Sequence, residues 1–475
     1  MGIKDEFRTG IIYSAIGKYS NVIISLIVNA ILSRILTPGE YGIVAVVNVF
    51  LVFFQMLADF GIGPAIIQNK SLDDKDIQSI FSFTIILSVV LAILFMLLGY
   101  PISIFYNSNV YVPISMLLGI CILFYTLSVV PQAIIQKRKD FKTINIALIW
   151  SNVISAVVSI VIGYLGGSYY AMVFGYIIRA LYLFLYYLHK SKLSMRFAFD
   201  STPLLKIYHF SKNQFLFSFI NYFSINLDNI LIGRFFSTSA LAYYNKAYTL
   251  SLYPNQVLTS VITPVIQPIM SNYEQSIEQI KKVYFMVTTI LANIGIPLSV
   301  FLFFSAEEII LFLFGDQWMG SVMAFMILSA TVWIQMIQSS TGSIFQSANR
   351  TDLLLLSGVV TAIINVTAII SGVMLGNIEF VATMILISFS INFIINNYIM
   401  MHLMFKSNLL EFFKVLAKPL LMGMLQIVAF VLLPELPFQN FTVLMLKGVL
   451  FVVMFLLGIF VTKQQSIIRR VIGRK

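Results

Sequence analysis

Long apolar runs separated by short polar connections are the main pattern along the chain. A helix needs about 20 mostly apolar residues to cross the hydrocarbon core of a bilayer. In lipid each backbone polar group must be satisfied internally, and runs of this length and apolarity do not suit a barrel, so the runs are predicted to be helices. Fourteen spans are predicted, at residues 11–33, 41–63, 79–99, 110–132, 144–165, 168–188, 212–234, 240–262, 283–304, 319–343, 353–375, 378–402, 415–433 and 441–461.

Polar residues inside these runs recur every three or four positions, which places them on single helix faces. The stripe in span 1 consists of Ser14, Lys18, Asn21, Ser25 and Asn29. Span 7 carries the corresponding stripe, made of Gln214, Ser218, Asn221, Ser224 and Asp228. Further stripes are Asn48, Gln55 and Asp59 in span 2, Tyr248, Asn255 and Thr259 in span 8, and Gln335 and Gln338 in span 10.

These stripes have two interpretations. Polar groups in a membrane protein face the bundle interior or a water-filled cavity. Any one of these residues alone is better explained as a hydrogen bond between packed helices. The alignment of four stripes at equivalent places in two halves favours a central hydrophilic cavity between two lobes.

The composition agrees with a chain whose solvent is mostly lipid. Of its 475 residues 59% are apolar and 10% are charged, against about 45–50% and about 25% in soluble domains, and the mean hydropathy is +0.93. These values exclude a soluble enzyme, a nucleic-acid-binding protein and a disordered chain. One cysteine, Cys121, and three histidines cannot form a His/Cys metal cluster of known spacing. No metal or other cofactor is expected.

Positive charge alternates from one connection to the next. Cytoplasmic loops of membrane proteins collect Lys and Arg. Of the 30 Lys and Arg residues, 24 fall on the side that holds both ends of the chain, so both termini are predicted to be cytoplasmic. The other side carries acidic residues, including Glu40 and the pair Glu307–Glu308, which we interpret as a solvated loop face.

The first six spans recur about 200 residues later, where Asn21 matches Asn221 and Arg34 matches Arg234. Six is an even number, so the halves share one orientation and are predicted to be related by an axis along the membrane normal. The predicted architecture is all-α, with two six-helix lobes followed by two C-terminal helices. Its parts are an N-terminal lobe at 1–200, a C-terminal lobe at 201–405, and two final spans with a basic tail at 406–475.

Cations inside the spans strengthen the prediction of a cavity. Lys18 lies about 12 Å into span 1 at 1.5 Å per residue, and Arg179 is well inside span 6. The position of Arg234 is explained equally well by a functional role and by snorkelling, in which the charged end of the side chain reaches the headgroups. Lys246 and Lys447 could also snorkel. Phosphates prefer Lys and Arg, so a cavity with cations, amides and tyrosines suits an anionic cargo rich in hydroxyl groups.

Catalytic motifs are absent from the sequence. The chain has no Gly-Lys-Ser/Thr nucleotide loop, and its outer loops carry neither paired catalytic carboxylates nor a nucleophile with a histidine, so it is not expected to be an enzyme. The candidate cavity residues are Lys18, Asn21, Ser25, Asn48, Gln55, Arg179, Asn221, Asp228, Arg234, Lys246, Tyr248, Asn255, Gln335 and Gln338.

Five motifs carry a family resemblance. They are SRILTPGEYG at 33–42, LADFGIGPAIIQ at 57–68, IQKRKDFK at 135–142, NLDNILIGR at 226–234 and AYYNKAY at 242–248. With these motifs the chain resembles the polysaccharide transporter (flippase) family of the multidrug/oligosaccharidyl-lipid/polysaccharide exporter superfamily, in its branch of colanic-acid and teichuronic-acid exporters. It departs from that pattern at 235–242, where such proteins more often carry glycine.

The resemblance implies a function in the bacterial cytoplasmic (inner) membrane. Members move an undecaprenyl-diphosphate-linked oligosaccharide to the outer leaflet for O-antigen, capsule or exopolysaccharide synthesis, by rocking two lobes. The implied partners are this lipid-linked oligosaccharide, membrane lipids, and the polymerase and chain-length regulator of the pathway, with no nucleic acid. Ion-gradient coupling occurs in relatives, and Asp59 and Asp228, the acids inside spans, are the candidates to carry a proton or Na⁺. Alternatively, Asp59 caps its helix and Asp228 pairs with Arg234.

Other functions remain open. A lipid II flippase would differ only in the head group of its cargo, and a multidrug exporter of the same superfamily would favour an acidic, apolar cavity. A membrane polysaccharide polymerase, from another class, would need a long outer loop, and no loop outside the membrane exceeds about 15 residues. A major-facilitator transporter would carry an Asp- and Arg-rich loop between spans 2 and 3, where this chain reads QNKSLDDKD at 68–76.

Overall fold

The computed structural model describes residues 3–69, 72–194, 200, 202–203, 219, 222, 226–270, 276–434 and 437–464. Side chains are described for these residues except 3–16, 18, 68 and 258–270. Every regular element in these ranges is helical. The chain divides into two compact units, Met1–Ala242 and Tyr243–Lys475. The division into two lobes of six helices and a C-terminal pair stays a prediction.

In its described ranges the first unit shows eight longer helices and the beginning of a ninth. They are α1 (Ile3–Ile35), α2 (Pro38–Asp59), α3 (Ile62–Gln68), α4 (Asp74–Phe105), α5 (Tyr111–Lys137), α6 (Phe141–Tyr164), α7 (Tyr170–Ser191), α8 (226–235) and the start of α9 (Thr238–Met270). The second unit continues with α10 (Ile277–Phe304), α11 (Ala306–Phe314), a 3₁₀ turn (Asp316–Ser321), α12 (Val322–Ser329), α13 (Val332–Gln338), α14 (Thr341–Ser347), α15 (Thr351–Met374), α16 (Ile378–Tyr398) with a π-helical turn (Ile399–Met404), α17 (Leu409–Val431) and α18 (Asn440–Val461).

The protein is a multi-pass membrane protein. In the described ranges ten helices are long and apolar enough to cross a bilayer, and a bent helix pair would make an eleventh. Large apolar side chains cover the outside of these helices, for example Leu355 and Ile363 on α15 and Leu456 on α18, which are all exposed. Such a surface is stable in lipid but not in water. Helix is present in each of the fourteen predicted segments, while the count of fourteen spans remains a prediction.

Local side-chain chemistry sets where α2 begins and ends. Thr37 and Glu40 form a capping box in which each side chain bonds to the backbone N–H of the other residue, and Pro38 follows the cap. This arrangement satisfies amides that otherwise lack partners at a helix start. The helix ends where Phe60 and Gly61 both take positive φ angles, 37° and 70°. The predicted span 41–63 lies within Pro38–Ile67, which is long and apolar enough to be one membrane span, although it is not one unbroken helix because α3 starts anew at Ile62.

The predicted span 319–343 is also wrong as one continuous helix. The 3₁₀ turn and α12 together meet α13 and α14 at a bend of 49°. Hydroxyl groups explain the bend, because Ser329 donates to the carbonyl oxygen of Phe325 and Thr331 donates to that of Leu328. Bonds of this kind compete with the helical pattern and bend helices.

Aromatic packing forms the core of the second unit. Tyr284 of α10 stacks on Phe412 of α17, with ring centroids 5.9 Å apart. Its hydroxyl donates to Asn397 Oδ1 of α16 at 2.5 Å. Three helices are therefore fastened around one buried tyrosine. In the first unit the equivalent packing joins α3, α4 and α5 around Phe81 and Ile66, which are fully buried.

Candidate functional site: a polar cavity in the first unit

A cavity of about 490 Å³ lies among α1, α2, α6 and α7 of the first unit. Its lining is unusual for a membrane bundle because amides, hydroxyls and one guanidinium face it together. The polar lining residues are Asn21, Ser25, Asn29, Tyr41, Asn152, Ser155, Ser159, Tyr176 and Arg179. The rest of the wall is aliphatic, including Ile24 and Leu148, with Met172.

Two helix faces build this lining. Asn21, Ser25 and Asn29 come from the stripe on α1, and a matching stripe on α6 holds Asn152 and Ser155 opposite. Asn152 Nδ2 donates to Asn21 Oδ1 at 2.6 Å, which fixes α1 against α6. Part of the amide surface is thus already satisfied within the protein, and a ligand competes only for the remaining groups.

Gly175 brings α7 close to the stripe on α6. A Cβ atom there would lie 2.1 Å from Ser159 Oγ, so a larger residue would require that hydroxyl group to move. Ser155 Oγ uses this proximity to donate to the Gly175 carbonyl oxygen at 2.9 Å. Arg179 follows one helical turn later on α7, and the glycine therefore sets the position of its guanidinium at the cavity wall.

Arg179 is the distinctive group of the cavity. It lies near the centre of α7, nine residues after Tyr170, or about 14 Å along the axis. The residue is half-buried, and among the described residues no hydrogen bond or ion pair reaches its guanidinium. A desolvated cation normally has a counter-charge. An unpaired guanidinium beside amides and hydroxyls is suited to bind an anionic, hydroxyl-bearing ligand.

Asp59 is close to the same region. The phenol of Tyr125 on α5 interacts electrostatically with both Asp59 and Arg179. Asp59 ends α2, and its Oδ1 accepts from the backbone N–H of Gly63 at 3.4 Å. This bond agrees with the interpretation of Asp59 as a helix cap, and a role in ion coupling stays a prediction.

The other candidates of the first unit whose side chains are described do not line this cavity. Asn48 and Gln55 are half-buried on α2. The side chain of Lys18 lies outside the described side chains, and Asn221 lies outside the described residues.

Asp228 and Arg234 are separated in the structure. Asp228 on α8 is buried, and its Oδ1 accepts from the backbone N–H of Asn229 at 2.7 Å. Arg234 is exposed, and its guanidinium lies 5.4 Å from the ring centroid of Phe105. No ion pair joins the two within the described part of the chain, which favours snorkelling for Arg234.

The candidates of the second unit lie in separate surroundings. Lys246 on α9 is buried, with its ammonium 4.7 Å from the ring centroid of Phe314 and 5.0 Å from that of Trp318. Tyr248 stacks on Tyr244. The remaining three are Asn255, half-buried on α9, Gln335, which donates to Thr331 Oγ1 at 2.7 Å, and Gln338, half-buried on α13.

Sequence reasoning found Arg179 on α7 but missed the part of the cavity that α6 contributes and Tyr176 on α7. Asn152, Ser155 and Ser159 are three and four residues apart, the spacing that revealed the stripe on α1, so the signal was present. The position of Tyr176 was also readable, because it lies one turn before Arg179. In the described ranges no group of three or more His, Cys, Asp or Glu side chains is placed to bind a metal ion.

The interpretation of Glu307–Glu308 as a solvated loop face is wrong for Glu308. Its carboxylate lies 2.5 Å from the ammonium of Lys447 on α18, and the two side chains are only 13% and 17% exposed. Lys447 also donates to the carbonyl oxygen of Phe304 at 2.7 Å. The lysine therefore joins α18 to the C-terminal end of α10 and to α11.

Known proteins share this sequence pattern and fold. The model of the polysaccharide biosynthesis protein family matches residues 31–323. The teichuronic acid biosynthesis protein TuaB of Bacillus subtilis (strain 168) is 26% identical, over 88% of this chain and 87% of its own. The lipopolysaccharide biosynthesis protein WzxC of Escherichia coli (strain K12) is 22% identical, over 78% of this chain and 76% of its own.

Solved structures share the fold at low identity. The lipid II flippase MurJ in an inward closed conformation superposes with a TM-score of 0.74 at 14% identity, covering 98% of this chain and all of its own. An inward-facing multidrug resistance MATE family transporter superposes with a TM-score of 0.59 at 16% identity, covering 80% of this chain and 96% of its own. These neighbours are a flippase and a transporter, which are not enzymes. Since the family model covers more than half of the sequence, the chain belongs to the polysaccharide biosynthesis protein family, the flippase family that its motifs resemble.

Proposed function

We propose that the protein flips an undecaprenyl-diphosphate-linked oligosaccharide repeat unit across the bacterial cytoplasmic membrane, with both termini in the cytoplasm. It does so by alternating access, for the synthesis of a surface polysaccharide. The observation that carries this proposal is the unpaired guanidinium of Arg179 in a polar cavity inside an apolar helix bundle. The names of the relatives in polysaccharide synthesis support the cargo class.

The physical need for such a cavity is clear. Without it, a charged and hydrated head group would have to cross about 30 Å of hydrocarbon, where each charge costs several kcal/mol. The cavity replaces part of the lost water with a guanidinium, amides and hydroxyls. Its volume of about 490 Å³ is in the range of sites that bind small molecules, about 300–1,000 Å³. It therefore receives part of the head group at a time, while the polyprenyl tail stays in lipid.

Two alternatives of the same class have specific arguments. A lipid II flippase is favoured by the similarity to MurJ, which extends over 98% of the chain. A multidrug exporter fits less well, because an unpaired cation repels the organic cations that such a transporter carries. A polysaccharide polymerase is the alternative of another class. Deletion of a polymerase gene would leave lipid-linked units on the outer leaflet, whereas deletion of a flippase gene would leave them on the inner leaflet.

Ion coupling and pathway partners belong to the same proposal. Asp59 and Asp228 are the acids that would carry a coupling proton or Na⁺. The polymerase and the chain-length regulator of the pathway would receive the flipped unit on the outer side. Substitution of Asp59 or Asp228 by asparagine should then abolish the dependence of transport on an ion gradient, and an unchanged dependence would remove both residues from this role.

The test begins with deletion of the gene. Lipid-linked repeat units should then accumulate facing the cytoplasm, while an unchanged lipid pool would contradict the proposed function. Complementation with Arg179→Ala should fail to restore surface polysaccharide although the protein remains in the membrane. Loss of a charged hydrogen-bond partner costs about 1.5–3 kcal/mol, so affinity for the head group should fall about tenfold to a hundredfold.

Arg350→Ala is the matched control for Arg179→Ala. Arg350 pairs with Asp352 through a bond of 2.7 Å, and it is not among the residues that line the cavity. The substitution Arg350→Ala removes one arginine at a site where no cargo is expected, so the amount of surface polysaccharide should remain normal. Normal polysaccharide from Arg179→Ala as well would contradict the assignment of the cavity.

A further inference from the structure

The start of α9 touches the backbone of α2 at one residue, Gly42. A Cβ atom on Gly42 would lie 1.8 Å from the carbonyl oxygen of Thr238 and 2.4 Å from its carbonyl carbon. Separations below 3.0 Å essentially never occur for real Cβ atoms, and here the obstacle is backbone rather than a flexible side chain. Any side chain at position 42 would therefore force the two helices apart.

The contact extends in both directions from Gly42. Toward the helix start, a Cβ atom on Gly39 would lie 3.5 Å from Ser239 Oγ. Toward the helix centre, the hydroxyl of Tyr222 donates to the carbonyl oxygen of Val49. All of these residues belong to the first unit. From Gly39 to Val49 these contacts cover eleven residues, or about 15 Å of α2.

A second line of contact joins α8 to the loop after α4. The Tyr106 hydroxyl donates to the carbonyl oxygen of Ile230 at 3.4 Å, and a Cβ atom on Gly233 would lie 3.0 Å from the Tyr106 ring. Burial raises the pKa of Tyr106 above its usual range, so the phenol remains a hydrogen-bond donor at physiological pH. Arg234 then covers Phe105 from outside.

The position of this contact in the chain is informative. It joins the connection after α1 to its counterpart about 200 residues later, and the charge pattern places both connections on the outer side. Among the described residues, two tyrosine hydrogen bonds contribute to it. The contact between α2 and the start of α9 is largely backbone against backbone, and the two tyrosine hydrogen bonds are worth about 1 kcal/mol each. This line of contact at Gly39 and Gly42, called the seam below, excludes water and ions when it is closed. Its separation costs little free energy.

We propose that Gly39 and Gly42 are gating residues, where the connections of the two repeats meet to seal the pathway on the outer side and part to release the cargo. This inference rests on the proposed function for the identity of the cargo. The seal itself is independent of the cargo and can be tested separately.

Cysteine cross-linking in the full-length chain tests the seal. Gly39→Cys and Ser239→Cys are combined with Cys121→Ser, which removes the single native cysteine. A Cβ atom at position 39 would lie 3.5 Å from Ser239 Oγ, the atom that the sulfur of Ser239→Cys replaces, so the two sulfur atoms can approach to bonding distance. Oxidation should cross-link the pair and abolish surface polysaccharide in a complemented deletion strain, and reductant should restore it. Each single-cysteine variant, oxidised in parallel, should keep its activity.

Gly42→Leu gives the converse test. The leucine should hold the seam open, so that the cysteine pair no longer cross-links and Gly39→Cys reacts faster with a membrane-impermeant maleimide from outside. Gly358→Leu is the control, because no atom lies within 4 Å of a Cβ atom at that exposed position of α15. It should leave both the cross-link and the maleimide reaction unchanged.

Three results would contradict the proposal that Gly39 and Gly42 form a gate. One is the absence of a cross-link in folded protein, and another is a complete cross-link without loss of transport, which would mark a permanent structural contact. The third is full cross-linking in the presence of Gly42→Leu. If the lipid pools of the deletion strain contradict the cargo instead, cross-linking and maleimide labelling still report on the seal, so the two failures are distinguishable.

Discussion

The connections at 34–42 and 234–242 show how similar local structure can be fastened in different ways. In the first, α1 ends at Ile35 and α2 begins at Pro38, and in the second α8 ends at 235 and α9 begins at Thr238. The backbone bonds also agree. The N–H of Tyr41 donates to the Thr37 carbonyl at 3.1 Å, and that of Leu241 donates to the Ser237 carbonyl at 3.0 Å.

The side chains around this common frame differ. Glu40 in the first connection accepts from the N–H of Thr37 at 2.7 Å and from the hydroxyl of Ser168 in the loop before α7. Ala240 stands at the equivalent position of the second connection and makes no such bond. The first connection is therefore tied to another loop, whereas the second carries the exposed Arg234 over Phe105. The offset of 200 residues thus predicts backbone conformation more closely than it predicts contacts.

Substitution of Glu40 should give the largest difference between the two connections. Glu40→Gln removes the charge that accepts from Thr37 and Ser168, and charged hydrogen bonds contribute about 1.5–3 kcal/mol. The free energy of unfolding in mixed micelles should fall by about that amount. Ala240→Glu should instead complete a capping box with Ser237 and stabilise by about 0.3–1 kcal/mol. If the loss of stability from Glu40→Gln were no larger than the gain from Ala240→Glu, the hydrogen bond from Ser168 would add nothing to the stability of the first connection.

The capping hydroxyls should give the next largest effect. Thr37 Oγ1 accepts from the Glu40 N–H at 3.4 Å, and Ser237 Oγ accepts from the Ala240 N–H at 3.0 Å. Removing such a cap costs about 1 kcal/mol. Thr37→Ala and Ser237→Ala should each lower the unfolding free energy by that amount, with Thr37→Ala the more costly because the hydroxyl also contacts Glu40 Oε2 at 2.9 Å. A larger loss from Ser237→Ala would reverse the comparison.

The contact between Arg234 and Phe105 should give the smallest effect. Exposed cation–π contacts contribute about 0.5–1 kcal/mol. A double-mutant cycle with Arg234→Ala and Phe105→Leu should yield a coupling free energy in that range. Arg234→Gln, which keeps a planar polar group without charge, separates the charge from the stacking. A coupling near zero would mean that Arg234 only snorkels to the headgroups.

The polar face of α1 illustrates what the sequence could predict. Helical spacing alone placed Asn21 and Ser25 on one face, and the structure brings that face to the same cavity as Arg179. Periodicity reports which residues share a helix face, but it does not state which helix packs opposite. The partner face on α6 was therefore missed, because its Asn152 acquires meaning only through the bond to Asn21.

Long-range pairing and helix breaks were less predictable for a physical reason. Glu308 and Lys447 are 139 residues apart, and each looks like an ordinary surface charge in its own segment. The break between α12 and α13 contains no proline or glycine, so an apolar run through 319–343 conceals it. It depends on serine and threonine hydroxyls that bond back to the helix, and these residues also occur in straight helices.

The pairing of Glu308 with Lys447 has a consequence for how the protein is made. At about 5–20 residues per second, the ribosome reaches Lys447 on the order of ten seconds after Glu308. During that interval the carboxylate has no ammonium beside it, and α11 must wait in water or at the lipid headgroups. The arrival of α18 therefore completes this ion pair, and a nascent chain arrested before residue 440 would leave Glu308 without its ammonium partner.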